Sequence, residues 1–127
     1  MKVVWFSHAE EQWQKAMDYC EENFGTTSAN HFQNEVIKTT ELLSKFPGMG
    51  LIEVGLGGKP YMYRSITINH GNYKIIYRID TDKDIMYIVS LWNCHQNPVR
   101  LYNETDNDFP PSAVNEPMVE YGRRKGE

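Results

Sequence analysis

A change of hydrophobic period at Phe46-Pro47-Gly48 constrains this chain more than any other feature. Before it, apolar residues recur at three- and four-residue intervals; after it, they alternate. Proline withdraws a backbone donor and disfavours helix in the residue before it, so the break is physical as well as statistical. Helical hydrophobic stripes followed by alternating strands bury their apolar sides by packing against each other, which is an α+β layout.

The helical half begins after a β-prone run, Val3-Val4-Trp5-Phe6, read as an opening strand. Ser7 and Glu10 stand at capping-box spacing. Trp13, Ala16, Met17, Cys20 and Phe24 then mark one face of a helix over about 9–24, closed by Gly25. Thr27 or Ser28 can cap a second helix. Its stripe is Ala29, Phe32, Val36, Thr39/Thr40 and Leu43, widened by Ile37 and Leu42. A turn of two or three residues makes the pair an antiparallel αα-hairpin. The Trp and Met stripe reads as core packing, not as a cofactor box.

The sheet half opens with a short strand at 51–54 and a glycine loop at 55–60. That loop lacks the lysine–hydroxyl ending of a phosphate cradle, and no helix follows it. Strands at 61–69, 73–79 and 85–92, joined by turns at 70–72 and 80–84, form a meander. On the second of these, Tyr73, Ile75, Tyr77 and Ile79 share one side and Lys74, Ile76 and Arg78 the other. On the last, Ile85, Tyr87, Val89 and Leu91 oppose Met86, Ile88, Ser90 and Trp92. Trp13, Phe32, Val36 and the Ile75 side are expected to form one core. The organisation expected is a domain over 1–102 and a polar, acidic, proline-containing tail over 103–127, disordered or folded back. Arg123-Arg124-Lys125 in that tail reads as a solvated run.

At 127 residues the chain can bury a core without staples. Cys20 and Cys94 are distant in sequence, form no C-x-x-C pair and read as free thiols; Cys94 beside His95 makes no site by adjacency alone. No apolar run is long enough to cross a membrane, and the first residues do not resemble a signal peptide, so the default compartment is the cytoplasm. No metal or cofactor motif is present. Residues 1–100 carry 10 Lys/Arg against 11 Asp/Glu, a net of −1, and residues 101–127 carry 3 against 6, a net of −3. Binding to a phosphate backbone by bulk charge is therefore disfavoured, and any such contact needs a local cluster.

Five places, in order, carry a family resemblance. They are the opening strand with Ser7-His8-Ala9; Glu22-Asn23-Phe24-Gly25 with Ala29 and Phe32; and Leu43 with Pro47-Gly48-Met49-Gly50. The fourth is Tyr63-Arg64-Ser65-Ile66 with the run Gly71 to Ile79, and the last is Trp92-Asn93-Cys94-His95-Gln96-Asn97-Pro98. Together they resemble the RelE/ParE superfamily of plasmid-stabilisation-type toxins over about residues 2–101. The resemblance implies a microbial-RNase-like fold, a cognate antitoxin as partner, and growth inhibition. It offers two targets: one branch of the family cleaves mRNA in the ribosome without a metal, the other poisons DNA gyrase without cutting. A member that is now only an orphan binding module is a third reading.

For RNA cleavage the resemblance implies Arg64, Lys74, Arg78 and His95 as candidate catalytic residues. Charge must be stabilised on a phosphorane, and protons must move at the 2′-hydroxyl and the leaving oxygen. Arginines and a lysine supply the first, and a histidine exchanges protons near neutral pH. Arg64, Lys74 and His95 are then expected to converge at one end of the sheet. Against this, Arg64 and Arg78 also read as structural partners of Asp80, Asp82 or Glu53, Lys74 as a plain exposed lysine, and His95 as a turn residue. His8, His31 and His70 read as cap, helix-surface and turn residues. Ile66 and Ile68 replace the extra lysines of the cutters, and His95 stands where many relatives have arginine. Low charge and these departures favour the gyrase branch.

Overall fold

The computed structural model describes residues 1–105 and 118–121. Strand β1 (Lys2–Phe6) leads into helices α1 (Ser7–Phe24) and α2 (Thr26–Lys45). Strands β2 (Leu51–Ile52), β3 (Arg64–Ile68), β4 (Tyr73–Asp80) and β5 (Ile85–Asn93) follow, then helix α3 (Pro98–Glu104) and strand β6 (Met118–Tyr121). The six strands form one sheet in the order β2-β3-β4-β5-β1-β6. The meander β2–β5 is antiparallel, with short hairpin turns joining β3 to β4 and β4 to β5, whereas β1 lies parallel to β5 with Val4 opposite Tyr87. That parallel pairing is possible because the αα-hairpin separates β1 from the meander in sequence.

The helical hairpin covers one face. Trp13 of α1 stacks on Trp5 of β1 with ring centroids 4.7 Å apart, and Phe32 of α2 packs on Tyr73 of β4 at 5.0 Å. Trp13, Phe32, Val36 and Ile75 are buried in one core, as the periodicity requires. Two capping expectations are corrected. Phe6, not Ser7, is the N-cap of α1, and neither α1 nor α2 has a side-chain capping bond. A single residue, Gly25 at φ +95°, both ends α1 and begins α2, so the turn is shorter than expected. Phe24 and Leu42, placed in the buried stripes from sequence, are exposed.

The opposite face of the sheet is covered too. The connection between β2 and β3 meets α3 there, with Leu56 and Leu101 buried and Lys59 Nζ 3.8 Å from the centre of the Tyr102 ring. Helix α3 was not expected, although its start is written in the chain. The Asn97 side chain accepts a hydrogen bond from the Val99 amide at 3.0 Å, and Pro98 fills the first turn. Expected strand 51–54 shrinks to two residues and 61–69 to five. Within the expected tail, Asn103 and Glu104 belong to α3, with Thr105 as its C-cap, and 118–121 pairs with β1; the remaining tail expectations, including Arg123-Arg124-Lys125, lie outside the described residues.

Strict alternation fails on β5. Ile76 pairs with Ser90 but Tyr77 pairs with Ile88, so Val89 is an extra residue, a β-bulge. Beyond it the faces exchange: Leu91, Ile88 and Met86, opposite Ile75, Tyr77 and Ile79, share the helix-covered side. Tyr87 is turned to the other side, opposite Arg78. This rotation shapes the site that follows.

Candidate functional site

Register decides which of the four candidate residues meet. Arg64 pairs with Tyr77, and Lys74 is three residues from Tyr77, so Arg64 and Lys74 lie on opposite faces of the sheet. The expected convergence of Arg64 with Lys74 and His95 is therefore not formed. On the helix side, Arg64 Nη1 donates to the Gly50 carbonyl at 2.8 Å. The Gly50 amide in turn donates to the Tyr77 hydroxyl at 3.0 Å, and that hydroxyl donates to the Pro47 carbonyl at 2.7 Å. Burial raises the pKa of the Tyr77 phenol, which keeps it protonated and able to donate. Arg64 thus ties the Pro47–Gly50 segment that follows α2 to β3.

Lys74 occupies the other face, over a shallow groove of about 370 Å³ lined by Gly50–Gly55, Ser65–Thr67 and Lys74. Its ammonium lies 2.9 and 3.1 Å from the two Glu53 oxygens, and Glu53 Oε1 also accepts from the Ser65 hydroxyl at 2.6 Å. The groove therefore holds a closed Glu53–Lys74 pair, with the carboxylate offsetting the ammonium charge where it stands. Glu53 and Ser65 were not singled out from sequence as site residues. The signal that could have found them is the alternation that sets Ser65, Thr67 and Lys74 on one face.

Cys94 belongs to this end of the sheet, but burial pushes its thiol pKa up, and Lys74, balanced by Glu53, does not restore it. It is a protonated thiol at neutral pH, not an activated nucleophile. His95 lies in the turn after β5, exposed, with Nε2 2.9 Å from Asn72 Oδ1 and its amide held by Asn93 Oδ1 at 2.9 Å. Because Asn72 immediately precedes β4, His95 and Lys74 do share one end of the sheet.

Arg78 shares the face of Lys74 but lies four residues along the strand, roughly 13 Å away. It is only 5% exposed, in an aromatic box. Its guanidinium carbon is 3.9 Å from the ring centre of Tyr61, 4.7 Å from Tyr87 and 6.0 Å from Phe6. The bulge that rotates Tyr87 completes this box. Such a stacked, desolvated arginine holds a layer together and is not presented to a ligand.

A second polar cluster joins α3 to the body. Glu104 Oε1 is 3.3 Å from His8 Nε2, and its Oε2 accepts from Gln12 Nε2 at 3.2 Å. The Ser90 hydroxyl is within 3.1 Å of that same oxygen and 3.0 Å of Gln12 Oε1, so its one proton is shared between them. The hydrogen bond to Glu104 raises the His8 pKa against the opposing effect of burial. Burial pushes Glu104 up, but the bond and charge of His8, with Ser90 and Gln12, together hold it below the usual carboxylate value. His8, read from sequence as a capping residue, is instead one half of this clasp.

Among the described residues no group of three metal-ligating side chains occurs, and no helix is long and apolar enough to cross a membrane. Among solved structures, the isolated E. coli RelE toxin (P21 crystal form) is similar at 12% identity and a TM-score of 0.47, covering 82% of this chain and 95% of that one. No curated protein matches the chain. The family model for the ParE toxin of the type II toxin-antitoxin system, parDE, matches residues 3–98, the span from β1 to the first residue of α3. The chain belongs to the ParE toxin family of type II toxin–antitoxin systems.

Proposed function

We propose that this toxin arrests growth in the cytoplasm by binding DNA gyrase and not by cutting RNA, and that a cognate antitoxin holds it in check. The observation that carries the reading is the Glu53–Lys74 pair. A cation stabilises a phosphorane by aiming its charge at the scissile phosphate, and a carboxylate on the ammonium draws that charge away. Here Lys74 faces a carboxylate at 2.9 Å, Arg64 serves the Gly50 carbonyl and Arg78 is enclosed by aromatic rings. A binding toxin needs no catalytic cation and tolerates a body with a net charge of −1.

The metal-independent endoribonuclease reading rests on one observation, that Lys74 and His95 share an end of the sheet with His95 exposed. The two readings separate in one experiment. Wild type, Lys74→Ala and His95→Ala are expressed without antitoxin while mRNA ends are mapped, and the purified proteins are added to a gyrase supercoiling assay. The gyrase reading expects inhibited supercoiling, DNA damage and intact mRNA in all three. Cleavage sites present with wild type and absent with both variants would overturn it, and no arrest in any arm would leave an orphan binding module.

A further inference from the structure

The two outer edges of the sheet are treated differently. One is β2, two residues long, with Leu51 78% exposed. The other would be β1, whose Val3, Val4, Trp5 and Phe6 are all buried. An unpaired apolar edge strand of this kind presents a row of amides and carbonyls that templates strand addition. In this chain Met118–Tyr121 occupies that edge, antiparallel, with Val3 opposite Tyr121 and Phe6 opposite Met118. Both β6 and nearly all of α3 lie beyond residue 98, where the family match ends. The extension is therefore attached to the domain at two separate places: the Glu104 clasp to His8, Gln12 and Ser90, and the β6–β1 pairing.

We propose that Met118–Tyr121 is an exchangeable edge strand of the toxin itself, which occupies a strand-acceptor site on β1. An extended segment of a partner protein reaches β1 only by displacing it. The inference goes beyond the gyrase reading and does not depend on it. A four-residue pairing makes few ladder bonds, each a modest net contribution, so it opens reversibly. Tethering favours the intramolecular strand with an effective concentration on the order of 1 mM, the level a free segment must exceed to compete. The Glu104 clasp keeps the base of the extension on the domain while β6 is away.

The test uses the full chain with Val119→Pro and, separately, Glu120→Pro. Adjacent amides point to opposite sides of a strand, so one of the two prolines removes a donor from the β1 ladder and the other faces away. Hydrogen exchange is read at Val3–Phe6, with Ile75–Tyr77 as the core reference. In one variant the β1 amides that face β6 are expected to exchange roughly tenfold faster with the core unchanged. A fluorescein-labelled peptide of residues 115–124 is expected to bind that variant at concentrations where wild type excludes it. Unchanged exchange in both variants, or equal peptide binding by wild type, overturns the proposal. Should the core reference also fall, wild type titrated with the peptide above about 1 mM decides: binding supports displacement and no binding overturns it. Protection at β1 that rises with protein concentration would show strand exchange between copies and overturn the intramolecular form.

Discussion

Replacing Arg78 by alanine separates a structural arginine from a catalytic one. The guanidinium carbon stands 3.9 Å from the Tyr61 ring and 4.7 Å from Tyr87, and the residue is 5% exposed. A desolvated cation–π contact contributes about 2 kcal/mol, and the second ring about 1 kcal/mol. Loss of the packed stem adds about 1 kcal/mol more. The expected destabilisation is about 4 kcal/mol, a large share of the roughly 5–15 kcal/mol that holds such a domain folded. Urea unfolding followed by tryptophan fluorescence measures it, the Trp5–Trp13 stack serving as reporter. Arg78→Lys keeps the charge but not the planar stacking, so about half the loss is expected to remain. Salt at 0.5 M should change neither difference much, because a buried contact is weakly screened. A loss below about 1 kcal/mol accompanied by abolished toxicity would refute the reasoning and return Arg78 to the functional surface.

Gly50→Ala places a methyl carbon 2.5 Å from the Tyr77 hydroxyl and 2.9 Å from the Ser65 carbonyl, so about 3 kcal/mol of stability should be lost in the same assay. Ile75→Ala opens a cavity in a fully buried site and is expected to cost about 2–5 kcal/mol by urea unfolding. The His8–Glu104 pair is expected to stabilise α3 most between the unfolded pKa values of its members. The raised His8 pKa adds stability that is full below 6.5 and fades as pH rises through the folded value. The lowered Glu104 pKa adds stability that is present above 4.5 and fades as pH falls through its folded value. Hydrogen exchange in α3 should thus be slowest near pH 5.5 after correction for the intrinsic rate, and His8→Ala should flatten that profile. Since His8 is about half exposed, its loss should cost only about 0.5 kcal/mol overall.

Local chemistry wrote the elements into the chain. The Pro47 break, the stripe through Trp13, Phe32 and Val36, and the alternation from Tyr73 to Ile79 each depend on neighbours in sequence. Those parts, and the shared core they imply, were legible for that reason. The Asn97-Pro98 start of α3 is equally local, but a helix of seven residues is too short to show a helical period of its own. What no sequence period encodes is pairing across distance. The parallel insertion of β1 beside β5, the return of 118–121 to the β1 edge, and the bulge at Val89 arise when separate strands align. The candidate site depended on these. Arg64 and Lys74 were both expected near a scissile phosphate, yet the β3–β4 register sends them to opposite faces, one to the Gly50 carbonyl and the other to Glu53. A side chain's type sets what chemistry it can do. Its partner, drawn from residues 14 and 21 positions away in these two cases, sets what remains available, and only the folded sheet supplies that partner.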